Sequence, residues 1–408
     1  MTHLTQHRSR VLWLVLFLFL PSFLLPSAAS SQVPVEFEST WDRVSMELRD
    51  SLDATGMVGS SWAFLQDGRI LAWETYGFAD LETGRRVDES TIYHWGSITK
   101  TLTGIAIFQL RDRGLIVLDD PILHYVPELK AVHNPFGPME GITLHHLLTH
   151  SSGFRSPTWP WGGGEEWHPH EPTEWAQVVA MLPYTEILFP PGSRWSYSNP
   201  GVIFLGRVIE AVSGEEWEVY VEKNILRPLK MYRSYFDFTP YHLLPYRSNN
   251  YSIVDGSPQA NGLDFNTGIT VSNGGLNSPI GDMARYLAFL TDSGTDEDRR
   301  AYRSVLARES LEEMWTEEIP IQETGGLRES MALSFFLEEF RGVRYVGHTG
   351  SQKAFFSFIY IHPESRTAAI AAFNSNGVGG EEPARPDTRS VLNRLREMLF
   401  SDVFPLFH

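Results

Sequence analysis

Apolar residues recur at spacings of three and four between residues 33 and 55. Phe37, Trp41, Val44, Leu48 and Leu52 share one face, which predicts an amphipathic helix. From Gly59 to Phe78 the pattern turns strand-like. Residues 62–65 and 70–73 flank Asp67-Gly68, a pair that accepts positive φ and marks a tight hairpin. A helix is predicted to start at Ser97, with Leu102, Ile105, Ile107, Phe108 and Leu110 as its apolar positions and Gly114 just past its end. Residues from about 115 to 260 give several short helical patterns broken by Pro and Gly. Strand patterns return at 331–338 and 343–346, about a turn at Arg341-Gly342, and at 355–361 and 367–372, about a turn at 363–365. A last helix is expected over 387–399.

Strands at both ends around a helical middle imply an α+β fold. One antiparallel sheet would be completed by both ends of the chain and flanked by the terminal helices, with a mainly helical lobe inserted. The sheet lobe would take about 33–115 and 260–408, and the helical lobe about 115–260. Catalytic residues drawn from both lobes would meet at the junction.

Composition and charge narrow the chemistry. The formal net charge of −17 over 408 residues argues against an electrostatic grip on nucleic acid or anionic lipid, both polyanions. The absence of cysteine rules out a thiol nucleophile, a zinc–thiolate site and any disulfide framework. At the N-terminus, Arg8 and Arg10 precede an almost unbroken apolar run over 11–25, followed by Ser27, Ala28, Ala29 and Ser30. That order of basic, apolar and small residues is the layout of a secretory signal peptide over 1–30, so the remaining chain is expected to be exported, periplasmic or extracellular. An uncleaved anchor is the alternative, although the run is short for a membrane span of ~20 residues.

The candidate chemistry begins at Ser97-Ile98-Thr99-Lys100. A spacing of three on a helix puts Ser97 and Lys100 on one face, one turn apart, and the helix dipole favours negative charge at the serine end. A neutral lysine can remove the serine proton. An unperturbed lysine, pKa ~10.4, is deprotonated in only about 1 in 2500 molecules at pH 7, and lowering that pKa to ~7 takes about 4.6 kcal/mol of differential environment. Alone, Ser-x-x-Lys is a common accident of sequence. Here it is followed by Tyr197-Ser198-Asn199 and then by His348-Thr349-Gly350-Ser351 at the end of a predicted strand.

In that order and at about those separations, the three motifs resemble those of serine hydrolases of the class C β-lactamase and D-alanyl-D-alanine carboxypeptidase superfamily, which are penicillin-binding-protein-like. Two framework segments extend the resemblance over roughly residues 40–400: Leu147-Leu148-Thr149-His150-Ser151-Ser152-Gly153, and Gly274-Gly275-Leu276-Asn277-Ser278 leading into Asp282-Met283-Ala284-Arg285. The resemblance implies a β-lactamase/transpeptidase-like fold and an acyl-enzyme on Ser97. Lys100 and Tyr197 together would take the serine proton, with Lys100 cationic beside the tyrosine, and Tyr197 would pass a proton to the leaving group. Asn199 would bond the substrate amide or Lys100, and His348, Thr349 and Gly350 would bind substrate. The backbone N–H groups of Ser97 and Ser351 would form the oxyanion hole. No metal or other cofactor is implied, and the partner would be a small molecule or a cell-wall peptide.

One departure bears on substrate. Many β-lactamases of this superfamily carry Lys where His348 stands. An unperturbed His is only about a quarter protonated at pH 7, so charge-assisted carboxylate binding is weakened. Carboxypeptidase, esterase or amidase activity is therefore expected ahead of efficient β-lactamase activity. The alternative from another class is a catalytically silent sensor that binds penicillins or cell-wall peptides.

Other residues invite metal or lid readings. His145, His146 and His150 lack the Glu of a zinc-peptidase motif and read as framework, with 146 and 150 on one helix face. His168 and His170, near Glu165, Glu166 and Glu171, read as a solvated loop. The segment 158–175 holds Trp159, Trp161, Trp167 and Trp175 and suits either a pocket lid or plain packing. No Gly-x-Ser-x-Gly elbow and no phosphate-binding glycine loop is present.

Overall fold

A computed structural model of the chain describes Met1 and residues 33–155, 172–263, 267–377 and 387–408. In it the Asp67-Gly68 pair makes the expected turn, with φ of 49° and 73°. Gly59–Gln66 therefore folds back antiparallel on Arg69–Asp80. The same first strand pairs on its other side with Thr367–Phe373, so both ends of the chain meet inside one sheet. Strand order runs from Arg85–Arg86 through Arg69–Asp80, Gly59–Gln66, Thr367–Phe373, Phe355–His362, Val343–Gln352, Phe336–Phe340 and Leu327–Met331 to Ile319–Thr324. Each neighbouring pair is antiparallel.

Both faces of the central strands are covered, which is why they read as continuous apolar runs instead of alternating ones. On one face Trp62, Phe64, Phe358, Tyr360 and Phe373 pack beneath the helices Phe37–Thr55 and Thr388–Met398. Phe64 meets both Phe404 and Phe407 with ring centroids 5.1 Å away. On the other face Ala63, Leu65, Ile359, Ile361 and Ile370 join the helical lobe. The central helix of that lobe, Thr99–Asp112, is buried from Thr99 to Leu110, so its apolar residues surround it instead of forming a stripe. Asn199–Ser213 packs beside it, capped by the Ser198 hydroxyl at its start and by left-handed Gly214 at its end.

One expectation about strands needs correction. Residues 331–338 are not one strand: Leu327–Met331 and Phe336–Phe340 are separated by a bend. The Ala332 N–H bonds the Phe335 carbonyl, and Ser334 takes φ of 65° to reach the Leu148 carbonyl. Ala332, Leu333 and Phe335 are buried in the helical lobe, so an apolar pattern cannot distinguish this bend from a strand. The edge strand Ile319–Thr324 was unread because it is largely exposed and its neighbour covers only one edge. Two small sheets near the lobe junction were also unread: Ile92–His94 with Leu276–Pro279 and Tyr235–Phe236, and Tyr251–Val254 with Ser257–Ala260 and Ser375–Gly377. The leader expected at 1–30 lies outside the described residues apart from Met1. Among the described residues no helix is long and apolar enough to cross a membrane.

Candidate functional site

The Ser97 turn is shaped by glycine. Gly96 has φ of 52°, a region costly for any residue with a side chain, and a Cβ there would lie 3.0 Å from the Ser351 nitrogen. Ser97 does not begin an α-helix as expected. It sits in a 3₁₀ turn, Gly96–Ile98, that runs directly into the helix at Thr99. Thr99 pins the turn, since its hydroxyl donates to the Gly96 carbonyl (2.6 Å) and accepts from the Leu276 N–H (3.0 Å). The spacing of three still delivers Lys100 to Ser97.

Lys100 is 1% exposed, and its Nζ lies 3.0 Å from Ser97 Oγ. Its second bond runs to the Asn273 carbonyl, 2.8 Å away. Burial holds the amine well below the ordinary lysine range, by stripping water from its charged form. Tyr197 approaches from the start of the other helix, engages the Ser97 side chain and turns its ring face to Lys100, with Nζ 4.9 Å from the centroid. Burial pushes the phenol up from its ordinary value. Burial thus disfavours charge on both groups, against the expectation of a cationic Lys100.

The strand Val343–Gln352 closes the other side. Gly350 packs against the Trp95 carbonyl, which brings Ser351 alongside the Gly96–Ser97 backbone. His348 is buried, with its ring 4.8 Å from Phe336 and 6.5 Å from Tyr197. Its Nδ1–H donates to the Thr349 carbonyl (2.6 Å), which leaves Nε2 with a lone pair and no hydrogen-bond partner among the described residues. Burial, with Lys100 nearby, pulls the imidazole down to about 3. His348 is thus neutral at pH 7, and the expectation of a partly protonated ring is corrected. Thr349, Gly350 and Ser351 line a cleft of about 360 Å³, bounded by Trp195, Phe336 and Arg389.

The structure brings Ser97, Lys100, Tyr197, His348 and Ser351 together. Asn199 stands in the first turn of its helix with Oδ1 buried and unbonded among the described residues. Its backbone carbonyl, not its amide, accepts from Asn273 (3.5 Å). Lys100 bonds the Asn273 carbonyl where a bond to Asn199 was among the expectations. Asn273 was missed because a backbone carbonyl carries no signature of residue type. Trp195 and Phe336 were missed because lone aromatics read as core.

The histidine expectations divide. His146 Nδ1 accepts the Thr143 N–H and caps the short helix Leu144–Leu148, and His145 pairs with Glu318 at 3.0 Å. That helix ends before His150, so 146 and 150 do not share a helix face. Trp175 packs on Phe204 and donates to Glu128. Trp159, Trp161, Trp167, His168 and His170 lie outside the described residues.

This combination of an antiparallel sheet, a helical lobe and a Ser-x-x-Lys turn between them defines a class. A family model described as Beta-lactamase matches residues 46–393, and the chain belongs to that family of serine hydrolases. Among curated relatives, Protein flp of Staphylococcus aureus (strain MW2) is 27% identical over 208 residues, which is 51% of this chain and 40% of that protein. Esterase EstB of Burkholderia gladioli is 28% identical over 215 residues, 50% of this chain and 52% of its own. The matches thus span about half or less of those relatives. Among solved structures, the octameric penicillin-binding protein homologue from Pyrococcus abyssi aligns with a TM-score of 0.71 and 29% identity, covering 83% of this chain and 74% of that one. A class C beta-lactamase aligns with a TM-score of 0.70 at 17% identity, over 91% and 98% of the two chains, a likeness of fold.

Proposed function

We propose that this protein hydrolyses carboxylic esters or amides through an acyl-enzyme on Ser97. The observation that carries the reading is the Lys100 amine, buried where charge on it is disfavoured and 3.0 Å from Ser97 Oγ. Ser97 Oγ attacks the carbonyl carbon while its proton passes to Lys100 Nζ, with the Tyr197 hydroxyl, which engages the Ser97 side chain, holding Oγ in line for the transfer. The ammonium so formed is held by the Asn273 carbonyl and the Tyr197 ring. Tyr197 protonates the departing oxygen or nitrogen and recovers its proton from Lys100. The Ser97 and Ser351 N–H groups stabilise the oxyanion. Water then attacks the acyl-serine, releasing the acid and restoring the Ser97 hydroxyl.

The neutral His348 supports an uncharged substrate over one that needs a cation for its carboxylate, and the aromatic wall of Trp195 and Phe336 suits an apolar group. Esterase EstB, which shares part of this sequence, supports the ester alternative. The basic, apolar and small residues of 8–30 support export of the chain. The test is turnover of p-nitrophenyl butyrate, with intact mass after benzylpenicillin, for the wild type and Ser97→Ala. Ester turnover by the wild type alone, without rapid loss of the drug, is the expected result. Equal rates for the two proteins on the ester would sink the assignment of Ser97.

A further inference from the structure

Tyr197 sits on a short segment, 195–198, that has no regular secondary structure before its helix begins at Asn199. Something else must hold the phenol over Ser97. Among the described residues, His150 bonds this segment on both sides of Tyr197. Its carbonyl accepts the Ser196 N–H at 2.8 Å, and its Nδ1 accepts the Ser198 N–H at 3.1 Å. Its ring lies against the Tyr197 ring, with centroids 4.4 Å apart and planes 31° apart. Three contacts from one side chain and its backbone thus bracket one tyrosine.

The bracket requires an unusual conformation. His150 is 1% exposed and has φ of 52°, in the left-handed region that most side chains avoid. The chain reaches this region just past the helix Leu144–Leu148, and the turn lets the His150 carbonyl and ring face the same segment. Nδ1 can accept only if that nitrogen carries no proton, so the ring must be neutral with its proton on Nε2. Backbone strain of this kind persists where the surroundings enforce it, and here the enforced geometry points at Tyr197.

We propose that His150 is a positioning residue for Tyr197, acting through the Ser196 and Ser198 amides and the ring stack without touching the substrate. This rests on the reading of Tyr197 as part of the proton relay. The misplacement of a reacting group by 1 Å can cost about 100-fold, and loss of the bracket permits a shift of that order.

The test measures the rate at which Ser97 is labelled by a fluorophosphonate, in which Ser97 Oγ displaces fluoride from phosphorus. This readout requires no knowledge of the natural substrate. His150→Gly keeps the backbone conformation and removes the acceptor and ring. His150→Asn keeps the backbone conformation and restores an acceptor near Nδ1. The expected results are labelling about 100-fold slower for His150→Gly and recovery to within about tenfold of wild type for His150→Asn. In a Tyr197→Phe background, His150→Gly is expected to cost less than about threefold, because the group it positions is already gone.

Equal losses from His150→Gly in both backgrounds, or no rescue by His150→Asn, would overturn the proposal. The assignment of Tyr197 fails separately, if Tyr197→Phe alone labels at the wild-type rate. An inert wild type would overturn both.

Discussion

Gly350 lies so close to Trp95 that a Cβ on it would fall 2.0 Å from the Trp95 carbonyl oxygen and 2.4 Å from Ser357 Oγ. No flexible side chain stands at the first of these contacts, so relief must come from the backbone. The two backbones in question carry Ser97 and Ser351. Gly350 therefore sets the width of the space between them as well as lining the cleft.

Gly350→Ala should push the strand off the Ser97 turn. The expected outcome is a loss of about 100-fold in fluorophosphonate labelling, with a stability loss of about 1–3 kcal/mol from overpacking. Labelling kinetics and denaturant unfolding check the two effects. A variant that is destabilised yet labels normally would show that the spacing is not what the oxyanion site depends on.

Lys100→Met separates chemistry from packing. Removing the base should slow ester hydrolysis by about 10²–10⁴-fold. Stability should hold or rise, because a buried amine with no ion-pair partner among the described residues is replaced by an apolar chain of similar length. Parallel measurement of kcat and of the thermal midpoint decides it, and a collapse in stability would assign Lys100 a structural role.

Acid should destabilise the fold through its buried histidines. His94 is pulled down to about 4 and His348 to about 3, in both cases chiefly by burial. Between those values and 6.5 the unfolded chain binds protons that the folded chain refuses. Stability therefore falls as pH drops through that window, by up to about 1.4 kcal/mol per pH unit for each histidine. Glu338 acts in the opposite sense. Burial raises its carboxyl from 4.5 to about 7, so between those values the folded state binds the extra proton and acidification helps. The thermal midpoint should fall from pH 6.5 to 4.5 and more steeply below. Glu338→Gln should steepen the upper part, and a midpoint flat over that range in this variant would mean that the histidines charge within the fold.

Phe64→Ala should do the reverse of Lys100→Met. Phe64 is 0% exposed beneath the terminal helices, on the sheet face away from the helical lobe. Its truncation should cost about 3–5 kcal/mol in denaturant unfolding. The labelling rate of the protein that remains folded should stay near wild type, which a stopped-time labelling assay well below the variant's thermal midpoint checks.

Much of this molecule is legible in its sequence where chemistry and local geometry coincide. Asp67-Gly68 announces its hairpin because few other pairs accept its dihedral angles. Ser97, Lys100, Tyr197 and His348 announce themselves by residue type and order. The bend at 332–335 is illegible because its residues are as apolar as a strand's and are buried for another reason. Asn273 contributes a carbonyl, which every residue has. His150 reads as framework because its left-handed φ depends on neighbours distant in sequence. Charge states are least legible, since Lys100 and His348 depart from ordinary values through burial that only the folded lobes create.

The pairing of Gly59–Gln66 with Thr367–Phe373 has a consequence for the chain during synthesis. The first strand emerges from the ribosome long before its central neighbour exists, and Ser97 long before Ser351. Contacts so remote in sequence form late, because the connecting loop must close before they repay its entropy. The nascent chain thus carries Ser97 without its neighbour Ser351, beside a half-built sheet, until the strand Val343–Gln352 has been made. That order of assembly is written into topology alone.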